Sequence, residues 1–477
     1  MAFHSMLRGL RHADDTPPGP RGHPVLGVFL MARRDPLGFF LESMGRYGDV
    51  VCMPFGRRRA YLLSHPEDVR HVLEDDQGIY AKAPTAARVR ALFGDSLTTV
   101  DGEHWQRQRR LMRPAFRPRS LLQSLPIVTE TTAQMLDRWA SIAERGETVD
   151  MLREMTDLTQ AIILKILFGE VGEARARDVS EALEEAVQHA NRRLWSPLGS
   201  LEIPTPGQRR FEAALRTVDT FVCTMVARAR ENARPAGTLL TALLDAHDAG
   251  RGERMRDVDL CHELKALLFA GHTTTASALA WTFYVLSTHP AASESVRAEV
   301  REVLDGRSPG ADDLPSLPYT RRVIDEVLRL YPPTWVTART PLRDDRIRGY
   351  RIAAGSIVLL SPFVTQRQPA FWPEPDRFDP DRFTPESRSA PFAYFPFGGG
   401  PRGCIGSWLA SVELQLVVAM VAQRYELALV PGSAVALDPG LTLRPKPGVP
   451  MILRPNGRRR SSATTFSPSI PTAKKCR

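Results

Sequence analysis

The sequence predicts a mainly α-helical protein with small β-sheets, folded as one domain over residues 17–456. Two strand-like runs come early and are followed by an almost unbroken helical pattern. The segment Asp257–His289 has the pattern of one long helix, which Pro290 ends. The 43% hydrophobic and 25% charged fractions are those of an ordinary globular protein with a sizeable core. We expect the polar leader 1–16 and the basic Ser/Thr/Pro-rich tail 457–477 to be disordered.

The first elements follow a stiff proline-rich segment at residues 17–22. A short helix is predicted over Pro36–Gly45. Two strands follow over Asp49–Phe55 and Arg59–Ser64, and then a second helix over Pro66–Leu73. This order places the small sheets at one edge of a helical protein.

The middle of the chain is predicted to consist of packing helices. Residues 80–100 read as a loop with at most one short helix. Residues 120–250 are predicted to form amphipathic helices separated by glycine and proline breaks. No motif among them indicates a catalytic or binding site. Further on, a helix is predicted near Leu317–Tyr331. A strand hairpin is predicted over 350–364, turning at Ala354–Gly355.

Composition and charge limit the classes of function. The net charge of +9 raises nucleic acid as a partner, but no nucleic-acid-binding motif is present, so a solvated surface or an acidic protein partner fits better. The five cysteines are scattered and odd in number, which favours a reducing compartment over a disulfide framework. The N-terminal region has no apolar run of the length of a signal peptide or membrane anchor. We therefore expect a cytoplasmic monomer without a membrane anchor.

The richest motif is the loop from Phe397 to Gly406, with sequence FGGGPRGCIG. Its glycines allow positive φ and a close approach of the backbone to a bulky group. Their N–H groups and the following helix start would favour the thiolate of Cys404, which could then bind a metal. Arg402 is placed to pair with a carboxylate on a bound group.

Two other interpretations of this loop are open. Residues 398–403 match the dinucleotide fingerprint G-x-G-x-x-G, but the preceding segment is proline-broken and aromatic rather than a strand. An inert structural cysteine in a glycine turn is the second alternative. The motifs that precede the loop in the chain, described below, argue against both the dinucleotide site and the inert cysteine.

The loop fits F-x-x-G-x-R-x-C-x-G without a mismatch and resembles the haem-binding loop of the cytochromes P450. This resemblance implies the cytochrome P450 fold, a single haem-enclosing domain of the soluble bacterial type. It also implies haem b with Cys404 as the axial iron ligand, packed by Phe397 and Gly406. Under the same resemblance, residues 80–100 would cover the substrate pocket, where the alternative is a plain surface connector.

A second motif holds Trp105 and Arg109, four residues apart and so on one face of a helix. An indole N–H and a guanidinium on one face suit a carboxylate clamp. The pair resembles the W-x-x-x-R helix that holds a haem propionate in P450s. Arg339 resembles the arginine at the second propionate.

A third motif lies in the middle of the long helix, at residues 270–275, with sequence AGHTTT. It resembles the P450 pattern A-G-x-(Asp/Glu)-Thr-(Thr/Ser), in which Thr274 would hydrogen-bond bound oxygen and relay protons. The acidic position holds Thr273 instead. Proton delivery would then use Thr274, ordered water or His272. Close packing of small residues in a helix crossing is a compatible second role.

A fourth motif is Glu326-x-x-Arg329, which with Arg382 would form a buried, mutually satisfied set of charges. It matches the E-x-x-R motif and meander arginine of P450s, whose role is to hold the cysteine loop. The resemblance also implies that a closing hairpin at 441–451 enters the pocket near Leu441. The pocket candidates are apolar apart from one threonine: Leu92, Phe93, Phe269, Ala270, Thr334, Trp335, Val336 and Leu441.

The resemblance implies a monooxygenase that inserts one atom of O₂ into a lipophilic small molecule. A terpenoid is favoured, with a fatty acid or polyketide next. No flavin or nicotinamide module is recognisable, so electrons are expected from a ferredoxin or flavodoxin with its NAD(P)H reductase. Arg110 and Arg113 are candidates for docking it. Two alternatives stay open: peroxide-driven or O₂-independent chemistry, suggested by Thr273, and a non-enzymatic haem sensor.

Overall fold

The structure of the protein is a computed structural model that describes residues 15–24, 26–55, 58–84, 86–194, 205–231, 236–247, 252–387 and 389–456. Most of the predicted leader and all of the predicted tail lie outside these ranges. The described part is mainly helical with four small sheets, so the predicted fold class is confirmed. No helix within these ranges is both long enough and apolar enough to cross a membrane.

The helices account for most of the described chain. In order they are α1 Phe29–Arg34, α2 Pro36–Tyr47, α3 Pro66–Glu74, α4 Ala86–Phe93, α5 Gly102–Met112, α6 Pro118–Leu121, α7 Leu125–Glu144, α8 Met151–Phe168, α9 Glu173–Leu194, α10 Pro206–Glu231, α11 Leu239–Asp245, α12 Asp257–Thr288, α13 Pro290–Leu304, α14 Pro318–Leu330, α15 Pro362–Thr365 and α16 Ser407–Arg424. Several begin at a proline, whose fixed φ suits the first turn and whose missing N–H is not needed there.

The strands are short. In order they are β1 Val50–Phe55, β2 Arg58–Leu63, β3 Tyr80–Lys82, β4 Thr148–Asp150, β5 Thr337–Pro341, β6 Asp345–Ile347, β7 Tyr350–Ile352, β8 Ile357–Leu360, β9 Tyr425–Leu429, β10 Ala436–Pro439, β11 Leu443–Lys446 and β12 Pro450–Pro455. The largest sheet has the order β1-β2-β8-β5-β3, and the others are β4-β12-β9, β6-β7 and β10-β11.

The predicted hairpin over 350–364 is wrong. Its two strands, β7 and β8, exist, but they do not pair with each other. β7 pairs with β6, whereas β8 lies parallel to β2, with Ala60 opposite Ile357, and antiparallel to β5. The turn at Gly355, with φ +74°, therefore carries the chain from one sheet to another.

The predicted closing hairpin is displaced in sequence. Its strands are β10 and β11, so it spans 436–446 rather than 441–451, although the turn does fall at residues 440–442. The Trp335 indole donates to the Gly440 carbonyl at 2.9 Å. The Leu443 amide donates to the Pro333 carbonyl at 2.9 Å. These bonds fix the tip of the hairpin against the segment that precedes β5.

The long helix α12 is the centre of the core and is an unbroken α-helix, as predicted from the sequence. The Trp281 ring stacks on Tyr331, which follows α14, with centroids 4.3 Å apart. A Cβ on Gly271 would lie 2.8 Å from Ile163 of α8, so glycine allows the two helices to approach closely. The Thr159 hydroxyl of α8 donates to the His272 carbonyl at 3.1 Å, which joins the helices at the same level.

Candidate active site

The loop that carries Cys404 is a tight connection between Phe397 and α16. The Cys404 amide donates to the Phe397 carbonyl at 2.9 Å, which closes the loop. Gly400 has φ +62°, and a Cβ there would lie 2.1 Å from the Leu73 carbonyl oxygen of α3. Glycine at this position therefore allows the loop to pack against α3.

The Cys404 thiol faces a cavity of about 750 Å³. The residue is exposed only in the sense that it lines this cavity. Burial raises the pKa of the thiol above its ordinary value, while a hydrogen bond from the Gly406 N–H and the charge of Arg109 act to lower it. The donor and the cation both favour the thiolate, which is the form that binds metals.

The cavity gathers residues from distant parts of the chain. Its lining includes every predicted pocket residue: Leu92, Phe93, Phe269, Ala270, Thr334, Trp335, Val336 and Leu441. It also includes the predicted cofactor contacts: Trp105, Arg109, Arg339, Phe397, Arg402, Cys404 and Gly406. The segment at 80–100 contributes to the lining through α4 and is therefore more than a surface connector. It also contains strand β3, which sequence reasoning missed.

Three threonines of α12 line the cavity: Thr273, Thr274 and Thr275. The Thr274 hydroxyl donates to the Ala270 carbonyl at 2.8 Å, and the Thr273 hydroxyl donates to the Phe269 carbonyl at 3.2 Å. Both are bonds back along the helix by one turn. Each hydroxyl oxygen keeps its capacity to accept a hydrogen bond from a group in the cavity.

The structure does not bring His272 into the site. Its side chain is buried and lies outside the set of residues that line the cavity. The Nδ1 atom lies 2.9 Å from the Leu268 carbonyl oxygen, so it holds the ring proton of the neutral imidazole. Burial lowers the pKa of His272 to about 4. The expectation that His272 delivers protons to the cavity is therefore not supported by its position.

A cluster of cations lines one edge of the cavity. The Arg109 guanidinium donates to the Gly403 carbonyl at 2.9 Å, next to Cys404. Arg402 pairs with Asp101 and lies over the Trp105 ring, 5.2 Å from its centroid. Trp105 and Arg109 thus reach the cavity from one face of α5, as their spacing predicts.

Lys82 belongs to the same cluster and was missed by sequence reasoning. Its ammonium group donates to the Val100 carbonyl at 2.6 Å. Burial, together with the charges of Arg402 and Arg339, lowers the pKa of Lys82 to about 7, although Asp101 acts to raise it. Burial and the charge of Arg402 likewise lower the pKa of Arg339 to about 10. Positive charge is thus in excess here, and an anion would stabilise it.

Two buried carboxyl groups in the wall were also missed. Glu263 of α12 accepts the Leu97 N–H at 2.9 Å, and burial raises the pKa of Glu263 to about 8. Glu413 of α16 has an Oε1 atom with no hydrogen-bond partner among the described residues. Burial raises the pKa of Glu413 to about 8. Both groups are therefore largely protonated at neutral pH and add no charge to the wall.

Glu326 and Arg329 form a fully buried ion pair on α14. Arg329 Nε lies 2.6 Å from Glu326 Oε2, and Arg329 Nη2 lies 2.8 Å from Glu326 Oε1. Arg382 Nε lies 3.6 Å from Glu326 Oε1, so the predicted third charge is present at a longer distance. The Asp379 amide also donates to Glu326 at 2.9 Å. The predicted set of buried charges is thus assembled.

This ion pair supports the segment that leads into the cysteine loop. Arg329 donates to the Gln366 carbonyl at 2.8 Å. The Gln366 side-chain oxygen accepts the Phe395 amide at 3.0 Å, two residues before Phe397. The Arg329 guanidinium also lies over the Trp372 ring, at 5.1 Å. A continuous chain of contacts therefore links α14 to the loop that carries Cys404.

Comparison with known sequences places this geometry in context. Residues 17–450 match the family described as Cytochrome P450. The chain is 36% identical to the Cyclooctat-9-en-7-ol 5-monooxygenase of Streptomyces melanosporofaciens, covering 91% of this chain and 94% of the relative. It is 34% identical to the Cyclooctatin synthase of the same organism, covering 90% and 93%. It is 31% identical to the Pentalenene oxygenase of Streptomyces avermitilis, covering 91% and 94%.

Solved structures show the same architecture. The cytochrome P450DA heme domain has a TM-score of 0.83 and 28% identity, covering 93% of this chain and 98% of that chain. The retinoic acid-bound cyanobacterial CYP120A1 has a TM-score of 0.81 and 26% identity, covering 92% and 99%.

Proposed function

The chain belongs to the cytochrome P450 family and is a haem-dependent monooxygenase of that family, and we propose that it inserts one atom of O₂ into a terpenoid. The observation that carries this proposal is the apolar cavity beside Cys404, in a chain whose relatives include enzymes named for cyclooctat-9-en-7-ol and pentalenene. The wall is built mainly from aliphatic and aromatic side chains. Among the described residues, its charged groups are the cation cluster at its edge, while Glu263 and Glu413 are largely protonated at neutral pH.

The residues of the cavity fit haem b. The Cys404 thiol reaches the cavity and has a donor and a cation beside it that favour its ionised form. The cation cluster at the edge carries excess positive charge, which the two propionates of haem b would neutralise. When bound, haem supplies the O₂ chemistry that side chains lack.

The roles proposed for the side chains follow from their positions. Cys404 would bind the haem iron through its thiolate, with Phe397 and Gly406 beside it. The propionates would be held by the cations and the indole at the edge, namely Lys82, Trp105, Arg109, Arg339 and Arg402. Arg402 is oriented by its ion pair with Asp101.

Thr274 is proposed to hold and pass protons at its hydroxyl oxygen. It lines the cavity, and its own proton is directed to the Ala270 carbonyl, so its oxygen is free to accept a hydrogen bond. Thr273, in the position where P450s carry an acid, cannot release a proton at neutral pH. Water in the cavity would then connect Thr274 to bulk solvent.

Replacing Thr274 by alanine is expected to divert electrons from product to hydrogen peroxide. The product formed per NAD(P)H should fall several-fold, because the cavity loses its placed hydroxyl. Thr274→Ser, which keeps the hydroxyl, should stay close to wild type. Peroxide and product are measured in parallel. If Thr274→Ala and wild type formed the same amount of product per NAD(P)H, this role for Thr274 would be wrong and the peroxide-driven alternative would be favoured.

We propose that the electron donor is an acidic ferredoxin or flavodoxin that docks beside the cysteine loop. Arg109 points inward and contacts Gly403, whereas Arg110 and Arg113 are exposed. Two more exposed arginines follow, Arg117 and Arg119. A basic surface thus lies next to the loop of Cys404, where charge steering would bring an acidic donor close to the cofactor.

Charge reversal at Arg110 and Arg113 together is expected to slow reduction of the iron by the ferredoxin at least about tenfold at low ionic strength. Substrate binding should not change. The matched control is charge reversal at Arg175 and Arg177, two exposed arginines at the start of α9. Stopped-flow reduction over a range of salt concentrations measures the effect. Equal rates in the two double variants would place the docking surface elsewhere.

The substrate class is tested by optical titration of the purified ferric protein. The panel contains cyclic terpenes, terpene alcohols, fatty acids, steroids and macrolides. A saturable shift of the haem band with terpenoids alone supports the proposal. A shift with fatty acids or macrolides alone would replace terpenoid by that class and leave the monooxygenase assignment in place.

A further inference from the structure

Helices α10 and α12 pack against each other and run antiparallel. Two ion pairs show their register: Lys265 Nζ lies 2.7 Å from Asp219 Oδ1, and Arg230 Nη2 lies 2.8 Å from Asp257 Oδ1. Residues that follow Asp219 on α10 therefore lie opposite residues that precede Lys265 on α12. About one turn after Asp219 and one turn before Lys265, each helix carries a cysteine.

These residues are Cys223 of α10 and Cys261 of α12, and each lies one turn from a member of the Lys265–Asp219 ion pair, on the same face of its helix. Cys223 is exposed and Cys261 is partly exposed. The other described cysteines, Cys52 and Cys404, lie on neither helix. The pair thus combines matching positions on two packed helices with access from solvent, and it is far in sequence from the cysteine loop.

Helix α12 forms one wall of the cavity, and α10 packs against both α12 and α9. α9 packs beside α10 and contributes Val187 to the cavity lining, while α12 forms the wall with Thr273 and Thr274. The Asn191 side chain of α9 accepts the Leu441 amide from the tip of the β10–β11 hairpin at 2.7 Å. Because α10 packs on both α9 and α12, a covalent link between α10 and α12 would hold α9 at the cavity.

We propose that Cys223 and Cys261 form a reversible disulfide that ties α10 to α12 and restricts opening of the cavity, with hydrogen peroxide as the oxidant. Peroxide converts the exposed Cys223 thiol to a sulfenic acid and releases one water. The Cys261 thiol then attacks that sulfur, the S–S bond forms and a second water leaves. Two thiols are oxidised by two electrons, and one peroxide is reduced.

The resting state is the dithiol. Burial raises the pKa of the Cys261 thiol, and the hydrogen bond with Cys223 and the charges of Asp257 and Asp219 raise it further. A protonated thiol is a poor nucleophile, so peroxide is expected to react first with the exposed Cys223 thiol rather than with Cys261. Because the two cysteines lie at matching positions of two packed helices, we expect closure to require side-chain rotation rather than rearrangement of the helices.

The test uses the full-length holoprotein treated with hydrogen peroxide and then with catalase and an alkylating agent. Tryptic digestion places the two cysteines in peptides 217–228 and 257–265, and mass spectrometry detects the linked pair. The proposal expects this linked peptide, its loss on treatment with dithiothreitol, and its absence from Cys223→Ser. Recovery of both peptides separately alkylated or over-oxidised, with no linked peptide, would overturn it.

The effect on the cavity is measured by the rate at which a haem-binding azole shifts the haem band. Oxidation should slow this rate at least several-fold in wild type and in Cys52→Ser, but not in Cys223→Ser. If the rate of azole binding were unchanged in protein shown to contain the disulfide, the proposal that the disulfide restricts opening of the cavity would be overturned. The probe binds at the haem, so the result does not depend on the terpenoid assignment.

Discussion

Serine in place of Cys404 is expected to abolish monooxygenation. The side chain keeps its size, but a hydroxyl with a far higher pKa replaces the thiol, so the proposed thiolate ligand is lost. The ferrous carbon monoxide complex should lose the red-shifted band of a thiolate-bound haem. Product formation with a ferredoxin system should fall to background.

The control for this substitution is Cys52→Ser, at a cysteine on β1 that is not part of the cavity lining. It should keep the thiolate spectrum and activity. Haem content is measured alongside, so that loss of the ligand is separated from loss of the cofactor. A thiolate-type spectrum in Cys404→Ser would contradict the proposed ligand.

Replacing Glu326 by alanine is expected to give the largest loss of stability. Arg329 would keep its contacts with main-chain carbonyls but lose the carboxylate that compensates its fully buried charge. Breaking a buried pair in this way costs about 3–5 kcal/mol, a large part of the free energy of unfolding of a typical domain. Loss of haem should accompany it, because the pair supports the segment leading to Phe397.

The control is Arg377→Ala, which removes an exposed ion pair with Glu374 in the same region. Exposed pairs contribute about 0–1 kcal/mol, so stability should change little. Urea unfolding and haem retention are measured for both variants. A similar free energy of unfolding in the two would contradict the role given to the buried pair.

Local sequence patterns predicted the helices well. Pro290 ends one helix and begins the next, and the predicted boundaries of α2, α3, α12 and α14 agree with the structure within a few residues. Strand pairing was less predictable, because the partners are distant in sequence. β8 follows β7 closely but pairs with β2 and β5, and nothing local to residues 350–364 encodes that choice.

The site was predictable where a motif carries several side chains at fixed spacing. Trp105 with Arg109 and the cysteine loop were found in this way. Lys82 and the buried acids were missed, because they reach the cavity from elements whose relative placement is set by the tertiary fold. The prediction that His272 delivers protons to the cavity is not supported, and the reason is local. Thr273 and Thr274 lie three and four residues after Ala270 and share its helix face. His272 lies two residues after Ala270 and points to another face.

The central claim is that this chain transfers one oxygen atom from O₂ to a terpenoid. The most direct measurement is turnover, under ¹⁸O₂, of the terpenoid that shifts the haem band, followed by mass spectrometry of the product. We expect one ¹⁸O atom in the product and none when the label is in water. A product without the label, or with oxygen from water, would contradict the claim.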